Sequence, residues 1–164
     1  MFVYKNLDYG KNRAKLAWYN IEPTLQDKNS PNNPLKGNLA ALSDPRVRAV
    51  YTNELFPQRT TNITDVLNAT FDLAYYPLEL GPYNFTNDVA NLRPDGKLNN
   101  PKQRWGGIMR NIDQTDFETS NIEFIEFWVQ NPFLKNPSSS GGKLLINLGN
   151  ISEDVLKDGL RFYE

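Results

Sequence analysis

The chain has 164 residues, 39% of them hydrophobic, enough for one well-buried core and short for two domains. Its 18 basic and 19 acidic residues give a net charge of -1 and are spread along the sequence, without the basic footprint that nucleic acid or an anionic membrane surface demands. Cysteine and histidine are both absent, which excludes disulfides, thiol catalysis, the usual zinc sites and any triad built on an imidazole base.

The opening, MFVYKNLDYGKNR, lacks the apolar centre of a signal peptide. Nowhere does an apolar run approach the roughly 18 residues of a membrane helix. Residues 13–21, RAKLAWYNI, place Leu16 and Trp18 on one face and Ala17, Tyr19 and Ile21 on the other, and stop at Glu22-Pro23. This alternation predicts a strand. Residues 26–38, QDKNSPNNPLKGN, hold two prolines, a glycine and no periodicity, and read as a long, mobile surface loop. Ser43-Asp44-Pro45 suits a turn, and residues 47–57, VRAVYTNELFP, are compatible with strand or helix.

Period-2 patterning is clearest over residues 67–75, where Leu67, Ala69, Phe71, Leu73 and Tyr75 alternate with Asn68, Thr70, Asp72 and Ala74. A half-buried strand is expected there. The stretch that follows is loop-rich, with Pro94-Asp95-Gly96 carrying strong turn chemistry. Residues 104–112, RWGGIMRNI, read as another strand, with Gly106-Gly107 marking a bulge or a close backbone approach.

Residues 121–129, NIEFIEFWV, fit two templates. As a helix, Glu123, Glu126 and Gln130 share a face, and Ser120 with Glu123 makes an S-x-x-E capping box. As a strand, Ile122, Phe124, Glu126 and Trp128 oppose Glu123, Ile125, Phe127 and Val129, both faces mostly apolar. The β-branched and aromatic composition and the short run before Asn131-Pro132 favour a strand covered on both sides. Residues 141–149, GGKLLINLG, are its expected antiparallel partner. A short helix is expected from Ser152, with Glu153 and Asp154 in its first turn and Ile151 stapled onto Leu156. Strands separated by long loops, with antiparallel neighbours and one short C-terminal helix, define an all-β (mainly β) fold: a jelly-roll-like antiparallel β-sandwich, a single module over residues 1–164. The ending GLRFYE has no polar tail, which suits a module excised from a longer polypeptide.

Without histidine or cysteine, catalysis would need a carboxylate pair facing one cleft. Glu123 and Glu126 fall on opposite strand faces, and the placement of Glu54, Glu79 and Glu118 is not fixed by sequence. A non-enzyme is therefore expected. Glu126, beside Trp128 on an apolar face, could bind a sugar or peptide; as a structural residue, it would pair with Arg104 or Arg110 on an adjacent strand. Asp113, Asp116 and Glu118 in IDQTDFE offer oxygen ligands for calcium, or turn hydrogen bonds. The four N-x-S/T sequons at Asn62, Asn68, Asn84 and Asn150 are coincidences of an asparagine-rich chain.

Several phrases carry a family resemblance: RAKLAWYNIEP, ELFPQR, YYPLELGPYNF, LRPDGKLNNPKQRWGGIMRNIDQTDFETSNIEFIEFWV and GGKLLINLGNISEDVLKDG. In this order they resemble blocks of the SprA/Sov family, the giant outer-membrane translocon of the type IX secretion and gliding-motility system. The resemblance covers most of residues 13–159. It implies a non-catalytic module inserted in or appended to the translocon's large β-barrel, in the bacterial cell envelope, soluble on the periplasmic or extracellular side. The partners it implies are the rest of that barrel, its partner subunits and the secreted cargo; it brings no active-site residues and no cofactor. The alternative from another class is a carbohydrate-binding jelly roll using Glu126 and Trp128.

Overall fold

A computed structural model describes residues 7–59, 67–84, 86–110, 112–113 and 116–148, with the backbone alone for 7–9. In chain order these carry a 3₁₀ turn at Leu7–Asn12, strand β1 at Ala14–Tyr19, the one-turn helices α1 (Pro23–Gln26), α2 (Leu39–Leu42) and α3 (Thr52–Leu55), strand β2 at Asp72–Leu80, and a 3₁₀ turn at Pro101–Gln103. β1 and β2 pair antiparallel as a two-stranded sheet, so the regular structure is mainly β with little helix. By contact density the chain divides into two units, one formed by Met1–Leu16 with Tyr75–Glu164 and the other by Ala17–Ala74.

In the first unit the start of β1 is locked on two sides. Ala14, 1% exposed, donates its amide to the Trp105 carbonyl, and Gly81 donates to the Arg13 carbonyl. Gly81 has to be glycine, because a Cβ there would lie 2.4 Å from the Ala14 carbonyl oxygen. Gly106 is close but less constrained: a Cβ would sit 3.1 Å from the Leu16 Cβ and 3.2 Å from the Tyr75 ring. That is the close approach expected of the glycine pair. Across the strands Lys15 bonds Glu79 at 2.9 Å and lies 4.9 Å from the centre of the Tyr76 ring. The Pro94-Asp95-Gly96 turn closes a small hairpin, with Gly96 N–H to the Arg93 carbonyl, Arg93 N–H to the Lys97 carbonyl and Asn99 N–H to the Asn91 carbonyl. Gly96 takes φ +78, the left-handed region that glycine enters without strain. The hairpin returns Leu98, fully buried, to bond the Leu78 carbonyl of β2.

The second unit is a series of turns. Asn38 caps α2 by accepting from Ala41 N–H. Asp44 accepts from the Arg46 amide and guanidinium, forming the turn foreseen at Ser43-Asp44-Pro45. Residues 26–38 are organised by Asn33, only 4% exposed, whose amide donates to the Leu25 and Asp27 carbonyls and whose oxygen accepts from Leu35 N–H. Within the ambiguous residues 47–57, a helical turn forms at α3, anchored by the bidentate Arg48–Glu54 pair. Trp18 meets Phe71 at 5.8 Å between ring centres.

Several expected elements differ. β2 starts at Asp72, not Leu67, and continues through Pro77 to Leu80. In a two-stranded sheet each strand keeps one unpaired edge, and proline is tolerated there. Leu67 makes only an isolated antiparallel bridge to Tyr51. Among the described residues of 104–112, Trp105 makes one parallel bridge, to Arg13, and no strand forms. Residues 122–130 and 141–148 form neither helix nor strand, so the central strand and its hairpin are not formed among the described residues. The helix expected from Ser152 lies outside them, as do the Asn62 and Asn150 sequons.

Candidate functional site

The residues singled out by sequence do not converge. Glu126 and Trp128 are both exposed, Trp128 to 63%. The pairing of Glu126 with an arginine of an adjacent strand does not occur for Arg104, whose acceptors all lie elsewhere. Asp113, Asp116 and Glu118 are all exposed, and among the described residues no three acids gather as a metal site. Asp116 instead accepts from the Thr119 amide and hydroxyl, and these bonds hold its carboxyl below the usual aspartate range. A shallow hollow beside α3 is lined by the consecutive residues Leu55 to Arg59 and brings together no convergent polar groups.

The best-built polar cluster is one the sequence did not announce. In the first unit Asn84, 7% exposed, donates its amide to the Lys11 and Arg13 carbonyls and accepts from Thr86 N–H. Its nitrogen is thus committed, which removes Asn84 as a glycosylation acceptor in the folded chain. Arg104 lies in the same network, also 7% exposed. Its Nε donates to the Asn99 carbonyl at 2.7 Å, and its Nη1 donates to the Lys11 carbonyl at 3.2 Å and to Asn12 Oδ1 at 2.8 Å. Burial pushes its pKa down, opposed by the Tyr75 hydroxyl, and burial in turn pushes Tyr75 up. Next in sequence, the Trp105 ring lies 4.8 Å below the Arg13 guanidinium, a cation–π contact.

Arginine and asparagine are mostly exposed residue types, so nothing in composition or period marks these two for burial. The only available signal was the crowding of asparagine around the 84–104 turns, where its amide can mimic backbone. Chemically the cluster ties three chain segments together and holds a cation. It presents no nucleophile, base or acid pair. No protein-family model matches the sequence, and no curated protein matches it. Among the described residues no helix is long and apolar enough to cross a membrane.

Proposed function

We propose that the chain is a non-catalytic structural and interaction module of the type IX outer-membrane translocon, supporting export of folded cargo to the cell surface and gliding motility. Its place would be in the bacterial cell envelope, on the periplasmic or extracellular side, against the barrel, its partner subunits and passing cargo. The sequence phrases quoted above support the family. One structural observation carries the interaction role. Residues 123–127 and 142–148 make no hydrogen bond to any described residue, while Phe124 is 74% and Leu145 70% exposed.

Burying one such side chain is worth about 1.5–3 kcal/mol, and extended backbone seeks ladder partners. Two apolar, unladdered segments are therefore surfaces awaiting a cover. In the proposed assembly residues 122–130 become a strand covered on both faces, completing the jelly-roll-like sandwich with parts of the parent translocon.

Photo-crosslinking in the intact translocon tests this. A benzoylphenylalanine at Phe124 or Leu145 is expected to give adducts with other translocon segments or with cargo, and one at Lys28 is not. Phe124→Asp with Leu145→Asp is expected to reduce secretion. Absence of adducts at both positions, with secretion unchanged in the double variant, would overturn the proposal.

A further inference from the structure

Glu126 is the residue of the 122–130 run that an apolar cover does not accommodate. It stands at the middle of the run, and alternation along an extended chain puts it on one face with Phe124 and Trp128, two residues to either side. All three are exposed, Phe124 to 74% and Trp128 to 63%. A cover that takes both rings therefore takes the carboxylate between them. Among the described residues Glu126 makes no hydrogen bond or ion pair. Its neighbours in sequence offer no cation either: residues 111–134 hold Asp113, Asp116, Glu118, Glu123 and Glu126 and no lysine or arginine. Burying an ionised carboxylate without a partner offsets what the two rings gain by burial. The missing cation has to come with the cover.

We infer that the segment covering this face is an apolar strand that carries an arginine, and that the arginine meets Glu126 between Phe124 and Trp128. This rests on the cover proposed above for residues 122–130 and names its chemistry. Arginine fits better than lysine for two reasons. Its planar guanidinium matches a carboxylate with two parallel hydrogen bonds while its faces stack on the flanking aromatic rings. It is also the more weakly hydrated of the two cations, so it loses less on leaving water.

Photo-crosslinking from Phe124 in the intact translocon reads the contact. The parent chain is expected to give an adduct whose partner segment, sequenced by mass spectrometry, contains an arginine. Glu126→Leu should cut the adduct yield by about fivefold or more, because it leaves the buried guanidinium without its carboxylate, whereas a cover without a cation would gain from the same change. Glu118→Leu, exposed and outside the run, should leave the yield as it is. Glu126→Arg alone should lose the adduct, and changing the partner's arginine to glutamate in that background should restore it. Because Glu126 is exposed, these variants are expected to melt with the parent chain; if one does not fold, the arginine content of the parent adduct decides. Two failures are distinct. No adduct from the parent chain removes the cover, and the arginine with it. Full yield in Glu126→Leu, or a partner segment without arginine, keeps the cover and refutes the arginine.

Discussion

Gly81 and Asn33 show how much of the described structure hangs on single residues. A methyl at position 81 would be driven to 2.4 Å from the Ala14 carbonyl oxygen, a backbone atom that cannot swing aside. Gly81→Ala is therefore expected to destabilise the first unit by about 1–3 kcal/mol or more. Gly10, with nothing within 4 Å of its notional Cβ, provides the control: Gly10→Ala should stay within about 0.5 kcal/mol. Thermal melts of the two variants against the parent chain decide the matter, and equal melting temperatures would refute it. Asn33→Ala removes three hydrogen bonds and leaves the Leu25 and Asp27 carbonyls and the Leu35 amide without that partner. Because the residue is buried, the expected loss is about 1–3 kcal/mol. A urea titration should show a lower midpoint with the slope unchanged. Neither residue was legible in advance. Gly81 stands in a G-P pair that reads as ordinary turn punctuation, and Asn33 is one asparagine among several in a loop.

Elements were legible where their cause is local. β1 falls within the alternating residues 13–21, the Pro94-Asp95-Gly96 turn forms, and Gly106 makes its close approach, because periodicity and turn chemistry are properties of a few neighbouring residues. β2 begins five residues after the alternating pattern does, at Asp72, and runs on through Pro77 to Leu80, because alternation marks which residues suit a strand while the extent of the ladder is set by the partner strand. α3 was undecidable because its support is not in its pattern: Arg48 and Glu54 form a bidentate pair across six residues. This pair has a pH signature. The Arg48 hydrogen bonds hold the Glu54 carboxyl below its ordinary value of 4.5. A depressed carboxylate contributes stability that is complete above its unfolded pKa and is lost as pH falls through the folded one. Glu54→Gln should therefore lower stability at neutral pH and flatten the acid limb below about pH 4.5. Denaturant melts at neutral and acid pH would show the two proteins converging as pH falls; a constant gap would remove the ion pair as the cause.

At the scale of the molecule the described residues are tied by hydrogen bonds more than by a core. Among them the buried apolar side chains are those of Ala14 and Leu98, while Asn33, Asn84, Thr52, Thr86 and Arg104 are buried polar ones. A domain of this length ordinarily owes its stability to buried apolar area, so the two-faced apolar pattern of residues 121–129 points to a cover that local structure does not supply. That is why the pattern reads as a buried strand while the described backbone there is unladdered: periodicity reports the environment a segment needs, whichever part of an assembly provides it. Hydrogen exchange makes the distinction measurable. In the isolated chain the amides of residues 123–127 and 142–148, which have no described acceptor, should exchange at nearly unprotected rates. Those of Ala14 and Leu98, bonded to Trp105 and Leu78 and buried, should exchange slowest. In the proposed translocon assembly the first group should gain at least tenfold protection and the second should change little, since on that proposal only the first acquires new partners. Protection of residues 123–127 already present in the isolated chain would mean that the cover is internal, and the interaction role would fall with it.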